Sequence, residues 1–74
     1  MDLRQLECFR AVAQTGNITA AARELHVSQP ALSTMISRLE KELGVPLFDH
    51  NGRSIILNQN GQRFLQRVNH ILME

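Results

Sequence analysis

A mainly α-helical fold with a single β-hairpin is what this sequence predicts, and three observations carry the prediction. Apolar residues recur at helical spacing in four segments. Asn51-Gly52 separates two short runs, LFDH and RSIIL, as a two-residue hairpin loop would. The joint between the second and third helical segments, Leu25-His26-Val27-Ser28, is very short. With 74 residues the chain has room for one domain and one modest core.

The first helix runs from about Leu3 to Gln14, with Leu3, Leu6, Phe9, Val12 and Ala13 at helical spacing. Thr15-Gly16-Asn17 stops it, and Gly16 suits a left-handed cap. Asn17 or Thr19 caps a short second helix, TAAARELH, whose Ala21, Ala22 and Leu25 face inward. Small alanines let another helix cross closely. Ser28 is the cap of the third helix, 28–43, and Pro30 sits in its first turn, where a missing N–H is tolerated. At about 100° per residue, Leu32, Met35, Ile36, Leu39 and Leu43 form one apolar stripe. Gly44 and Pro46 end that helix. The hairpin occupies 47–57, because Asn and Gly both accept the positive φ of a tight loop. Asn58 caps a last helix in which Gly61 weakens the first turn and Phe64, Leu65, Val68, Ile71 and Leu72 form the apolar stripe.

The second and third helices make a recognisable unit. Ala22, Leu25, Val27 and Leu32 stand where a helix-turn-helix needs a small residue and then apolar residues around its turn. His26 takes a turn position that is often Gly, and His is among the residues enriched at positive φ. Such a unit crosses two helices steeply and presents the outer face of the second, the geometry that places a recognition helix in a DNA major groove. That outer face is unusual for a merely solvated surface. It carries Gln29, Pro30, Ser33, Thr34 and Ser37, where strong helix formers such as Glu and Lys are commoner. Short donors and acceptors are what base-edge readout requires. Gln29 can pair with adenine, Pro30 can touch a thymine methyl, and the hydroxyls of Ser33, Thr34 and Ser37 suit several bases or a phosphate. Arg38 and Lys41 are placed to reach phosphates. The hairpin that follows is then a wing, with Arg53 beside its tip suited to a narrow minor groove. The sequence therefore reads as a winged helix-turn-helix: three helices, a β-hairpin wing, then a fourth helix. Residues 1–58 form the domain, and 59–74 begin a linker or dimerisation helix.

Bulk composition argues less strongly for nucleic acid. Net charge is +1, from 8 Lys plus Arg against 7 Asp plus Glu, so DNA affinity must rest on placement of groups. A winged-helix module that binds protein is the alternative. The stripe of the last helix, Phe64, Leu65, Val68, Ile71 and Leu72, could pack back on its own domain or against the same helix of a second copy; pairing is the expectation, and it would combine two weak half-sites. Cys8 has no partner for an internal disulfide and reads as a small core residue, and no signal-like or membrane-length apolar run is present. Double-stranded DNA and a second copy are the expected partners, a membrane is not, and the cytoplasm is the expected compartment. His26, His50 and His70 are widely spaced and lack neighbours at metal-ligand spacing. No nucleophile elbow, Cys–His pairing or phosphate loop points to an enzyme, and no cofactor is expected.

The blocks LRQLECFRAVAQTGNITAAARELHVSQPALS, ISRLEKELGVPLF, NGR and LNQNGQRFL resemble the N-terminal DNA-binding domain of LysR-type transcriptional regulators, over essentially the whole chain. The resemblance implies a bacterial regulator with a winged helix-turn-helix and a long linker helix that pairs two copies on an inverted repeat. It implies DNA contacts at Gln29, Pro30 and Ser33, at neighbouring recognition-helix residues and at the wing arginine. The chain departs from the family pattern at Thr34, Met35, Ser37 and His50, where family members often carry Arg, Gln, Arg and Arg. Those departures bear on the identity of the DNA site. The family's effector-binding domain follows the linker helix and is absent from these 74 residues, so a small-molecule effector would act only through that missing part.

Overall fold

Four short polar side chains start the four helices. A computed structural model describes residues 1–51 and 54–73. In it α1 spans Leu3–Thr15, α2 Ile18–Leu25, α3 Gln29–Leu43 and α4 Gln59–Ile71. Asp2, Asn17, Ser28 and Asn58 precede them and accept from the backbone N–H of Gln5 (2.9 Å), Ala20 (2.9 Å), Ala31 (3.2 Å) and Gly61 (2.8 Å). Each satisfies one of the N–H groups that a helix start leaves unpaired. Asn17, not Thr19, is the α2 cap; Thr19 lies inside the helix. At Asp2 the Gln5 side chain answers back to the cap N–H, which completes a capping box. The C-terminal ends of α1, α2 and α3 are marked by left-handed residues: Gly16 at φ 68°, His26 at 59° and Gly44 at 75°.

β1 (Phe48–Asn51) and β2 (Ser54–Leu57) form one antiparallel hairpin with Phe48 opposite Leu57, His50 opposite Ile55 and Asn51 opposite Ser54. This corrects the expected loop. Asn51 belongs to β1, and the pairing is shifted by two residues from the one a 51–52 loop implies. A shift of two keeps the same side chains on the same face, so the apolar pattern is indifferent to it. The hydrogen bond from Asn58 N–H to the Leu47 carbonyl (3.0 Å) continues the observed register at the base of the wing. Residues 52 and 53, and with them the expected Arg53 contact, lie outside the described residues.

The core joins all the helices to the hairpin. Leu6, Cys8, Phe9 and Val12 of α1, Ala21 and Ala22 of α2, Leu32, Ile36 and Leu39 of α3, Leu47, Phe48 and Ile55 at the wing, and Val68 of α4 are all buried. Phe9 is its centre: its ring lies 5.5 Å from that of Phe48 and 5.0 Å from that of Phe64, the latter edge-on. Leu3, expected on the apolar stripe of α1, stays 60% exposed. The helix from Gln59 is not merely a linker leaving the domain, since Val68 and Phe64 carry it into the same core.

Gly61 is a residue whose role the sequence concealed. Far from only weakening its helix, it lets α4 lie directly on the wing. A Cβ there would collide with the Leu47 carbonyl oxygen and approach Leu57 Cδ1 to 2.7 Å and Cγ to 2.9 Å. Asn58 ties the same corner together by donating its side-chain amide to the Pro46 carbonyl at 3.0 Å.

Candidate nucleic-acid interface

The outward face of α3 is set by its inward one. Leu32, Ile36 and Leu39 fix the helix rotation by burial, and Met35 and Leu43 flank them half-buried. Gln29, Pro30, Thr34, Ser37, Arg38 and Lys41 are consequently exposed, and Ser33 is half-buried at their edge. The Gln29 amide Nε2 donates to Ser33 Oγ over 3.4 Å, a weak contact that leaves the rest of the amide free.

The turn into α3 explains how that face is held. Val27 N–H reaches the Ala22 carbonyl at 3.0 Å and His26 N–H reaches that of Arg23 at 3.3 Å. The left-handed His26 reverses the chain within these bonds, and the buried Ala21 and Ala22 leave room for α3 to cross. Ser28 then starts α3 by accepting from the Ala31 N–H.

Two carboxylates near the basic residues are already engaged. Glu40 accepts from the backbone N–H of Leu47 at 2.6 Å and Phe48 at 3.4 Å, which fixes the start of the wing to α3. Glu42 pairs with the terminal ammonium of Met1 at 2.7 Å, and this hydrogen bond, ahead of the charge attraction, raises that ammonium's pKa above its ordinary value. Among the described residues neither Arg38 nor Lys41 has a salt-bridge partner. Their charge is thus available to a phosphate. Glu40 was missed as an architectural residue because its partners are backbone groups beyond Gly44, which no side-chain pattern announces.

The wing adds a second wall. Asn17, Ile18 and Thr19 at the start of α2, Gln29 and Ser33 of α3, and His50, Ser54 and Ile55 of the hairpin line one open cleft beside the recognition face. Asn17 is there as a cap, its side-chain oxygen taken by Ala20.

The last helix divides its apolar stripe. Val68 is 0% exposed in the single chain, so no surface of it is left for a partner. Phe64 rests on Phe9; Leu65 and Leu72 lie half-buried against the core, and Ile71 is 56% exposed. Of the five residues expected to pair two copies, Ile71 is the one the structure turns outward. Among the described residues no group of three His, Cys, Asp or Glu side chains could hold a metal ion. Among the described residues no helix is long and apolar enough to cross a membrane.

Comparison with known proteins places this geometry. Residues 3–62 match the family model described as bacterial regulatory helix-turn-helix protein, lysR family. The uncharacterized HTH-type transcriptional regulator YybE of Bacillus subtilis (strain 168) is 53% identical over all of this chain and 25% of its own length. ClcR, an HTH-type transcriptional regulator of Pseudomonas putida, is 47% identical over 97% of this chain and 24% of its own. The chain therefore spans about a quarter of the length of these two relatives. Among solved structures, the CbnR DNA-binding domain in complex with DNA superposes with a TM-score of 0.93 at 46% identity, covering 97% of this chain and 83% of that one. The BenM DNA-binding domain with benA site 1 DNA gives 0.92 at 38%, covering 97% and 84%. These relatives are regulators, not enzymes, and family model, sequence and winged fold all point to the same family. The chain belongs to the lysR family of bacterial regulatory helix-turn-helix proteins.

Proposed function

We propose that this chain is the sequence-specific DNA-binding domain of a cytoplasmic bacterial transcription regulator. α3 lies in the major groove, with Gln29, Pro30, Ser33, Thr34 and Ser37 at base edges and Arg38 and Lys41 at phosphates. Arg53 of the wing reaches the adjacent minor groove. The observation that carries the reading is the exposed, short-chained polar face of α3, held by a buried opposite face and flanked by cations with no salt-bridge partner among the described residues. It matches what base readout and phosphate positioning each need. The similarity to domains solved with DNA supports it.

The domain works as a homodimer on an inverted repeat. Ile71 and the half-buried Leu65 and Leu72 offer α4 a face for the same helix of a second copy, while Phe64 and Val68 hold α4 to its own domain. Two recognition helices on one face of the duplex give a weakly charged domain a useful affinity. Any small-molecule effector is sensed by a part of the regulator beyond these residues.

Selection of the 74-residue chain against a randomised duplex pool tests this. Two inverted half-sites in the bound fraction support the whole reading. A single half-site keeps DNA binding and removes the dimer. No enrichment at low salt from a folded sample overturns the DNA function and favours a protein-binding module.

A further inference from the structure

The cleft between α2, α3 and the wing holds a titratable group that the recognition face does not use. His50 pairs with Ile55 across the hairpin, and paired residues point to the same face. Ile55 is buried against the domain, so His50 is turned inward too, but at the rim, where it stays exposed. It shares the cleft with Gln29 and Ser33 of the recognition helix and with Thr19 and Ser54. We propose that the His50 imidazole is a further DNA-contacting group, one that meets a backbone phosphate in its protonated form and makes affinity for duplex DNA rise as the pH falls from about 8 to about 6. This rests on the DNA-binding reading above and deepens it.

The surroundings favour such a coupling. No carboxylate or other ionisable side chain lines the cleft beside His50 among the described residues: α2 contributes Ile18 and Thr19 with their cap Asn17, α3 Gln29 and Ser33, and β2 Ser54 and Ile55. A second, smaller cavity under the wing does bring one carboxylate toward His50, that of Glu40 on α3. Glu40 is engaged by the N–H groups of Leu47 and Phe48, and forms no ion pair with His50. Asp49, next in β1, alternates to the opposite face of the hairpin. Arg53, outside the described residues, keeps its charge across the whole pH range. In the free domain no carboxylate among the described residues is ion-paired with His50. A phosphate in the cleft supplies the missing negative charge, so binding takes up a proton and linkage requires that lower pH strengthen binding. The neutral hydroxyls of Thr19, Ser33 and Ser54 suit the same phosphate as donors.

The test measures the dissociation constant of the 74-residue chain for the duplex enriched from the randomised pool, between about pH 6 and pH 8 at fixed ionic strength. Wild type is expected to bind about three- to tenfold more tightly at the acid end, because a neighbouring phosphate makes the bound imidazole the stronger base. His50→Gln should bind at the weaker, alkaline level throughout, and His50→Arg at or above the acid level throughout, each with an unchanged melting profile. His26→Asn and His70→Gln should retain the wild-type slope. A flat wild-type profile, or a wild-type slope persisting in His50→Gln, overturns the assignment while leaving DNA binding intact. A folded chain that enriches no duplex overturns the DNA reading, and this assignment with it.

Discussion

Replacing Gly61 with Ala sets two ordinary expectations against each other. Within a helix, Gly to Ala usually stabilises by up to about 1 kcal/mol. Here the added methyl would point into the Leu47 carbonyl and two atoms of Leu57, at 2.7 and 2.9 Å. The side chain of Leu57 can shift, but the carbonyl is backbone and already accepts the Asn58 N–H at 3.0 Å. Overpacking of this kind costs about 1–3 kcal/mol, and loosening the Asn58 hydrogen bond about 1 more. The propensity gain does not offset that sum, so Gly61→Ala should lose about 1–3 kcal/mol in total. For a domain of this size each kcal/mol is about 4–8 °C in Tm, so the melting temperature should fall by about 5–20 °C. Far-UV circular dichroism during thermal and urea unfolding reads both quantities. Adding Leu57→Ala removes the two side-chain contacts and leaves the carbonyl clash, so a double-mutant cycle should show little rescue. A Gly61→Ala protein as stable as wild type would refute the reasoning, because α4 would then not be seated on the wing through a missing Cβ.

Other residues give independent checks. Glu40→Ala leaves the Leu47 and Phe48 N–H groups without their acceptor and should cost about 1–3 kcal/mol in urea unfolding, with Glu40→Gln restoring part of it. Gln29→Ala should weaken binding to the selected duplex by about 1–3 kcal/mol and relax preference at one base pair per half-site; unchanged preference in a repeated pool selection would remove Gln29 from base readout. Arg38→Gln and Lys41→Gln should each make the dependence of log affinity on log salt shallower by about 0.9 for every phosphate the cation neutralises, whatever the duplex sequence. Burial raises the pKa of the Cys8 thiol above 9.0, so it should resist a thiol-specific disulfide reagent until the chain unfolds. The sign for stability follows: the unfolded thiol ionises first, so the contribution of Cys8 is complete well below pH 9.0 and declines as pH rises through that range.

What could be read from the residues alone is whatever short-range chemistry decides. Ser28, Asn17 and Asn58 mark helix starts because a short side-chain oxygen fits the third N–H beyond it, and Gly16 and Gly44 mark ends because they tolerate positive φ. The spacing of Leu32, Ile36 and Leu39 fixes which side of α3 is buried, and so which polar residues face outward. Only the tertiary structure decided the rest. Hairpin register escaped because a shift of two residues preserves both faces, and the choice falls to the Asn58–Leu47 bond from another element. The stripe of α4 could serve its own core or a partner, and the packing of Val68 and Phe64 on α1 divides it between an inner and an outer edge. Gly61 and Glu40 gave no sign of these roles in sequence for the same reason. Each acts on a group distant along the chain, and contacts of that kind are specified by how whole elements dock, not by local pattern.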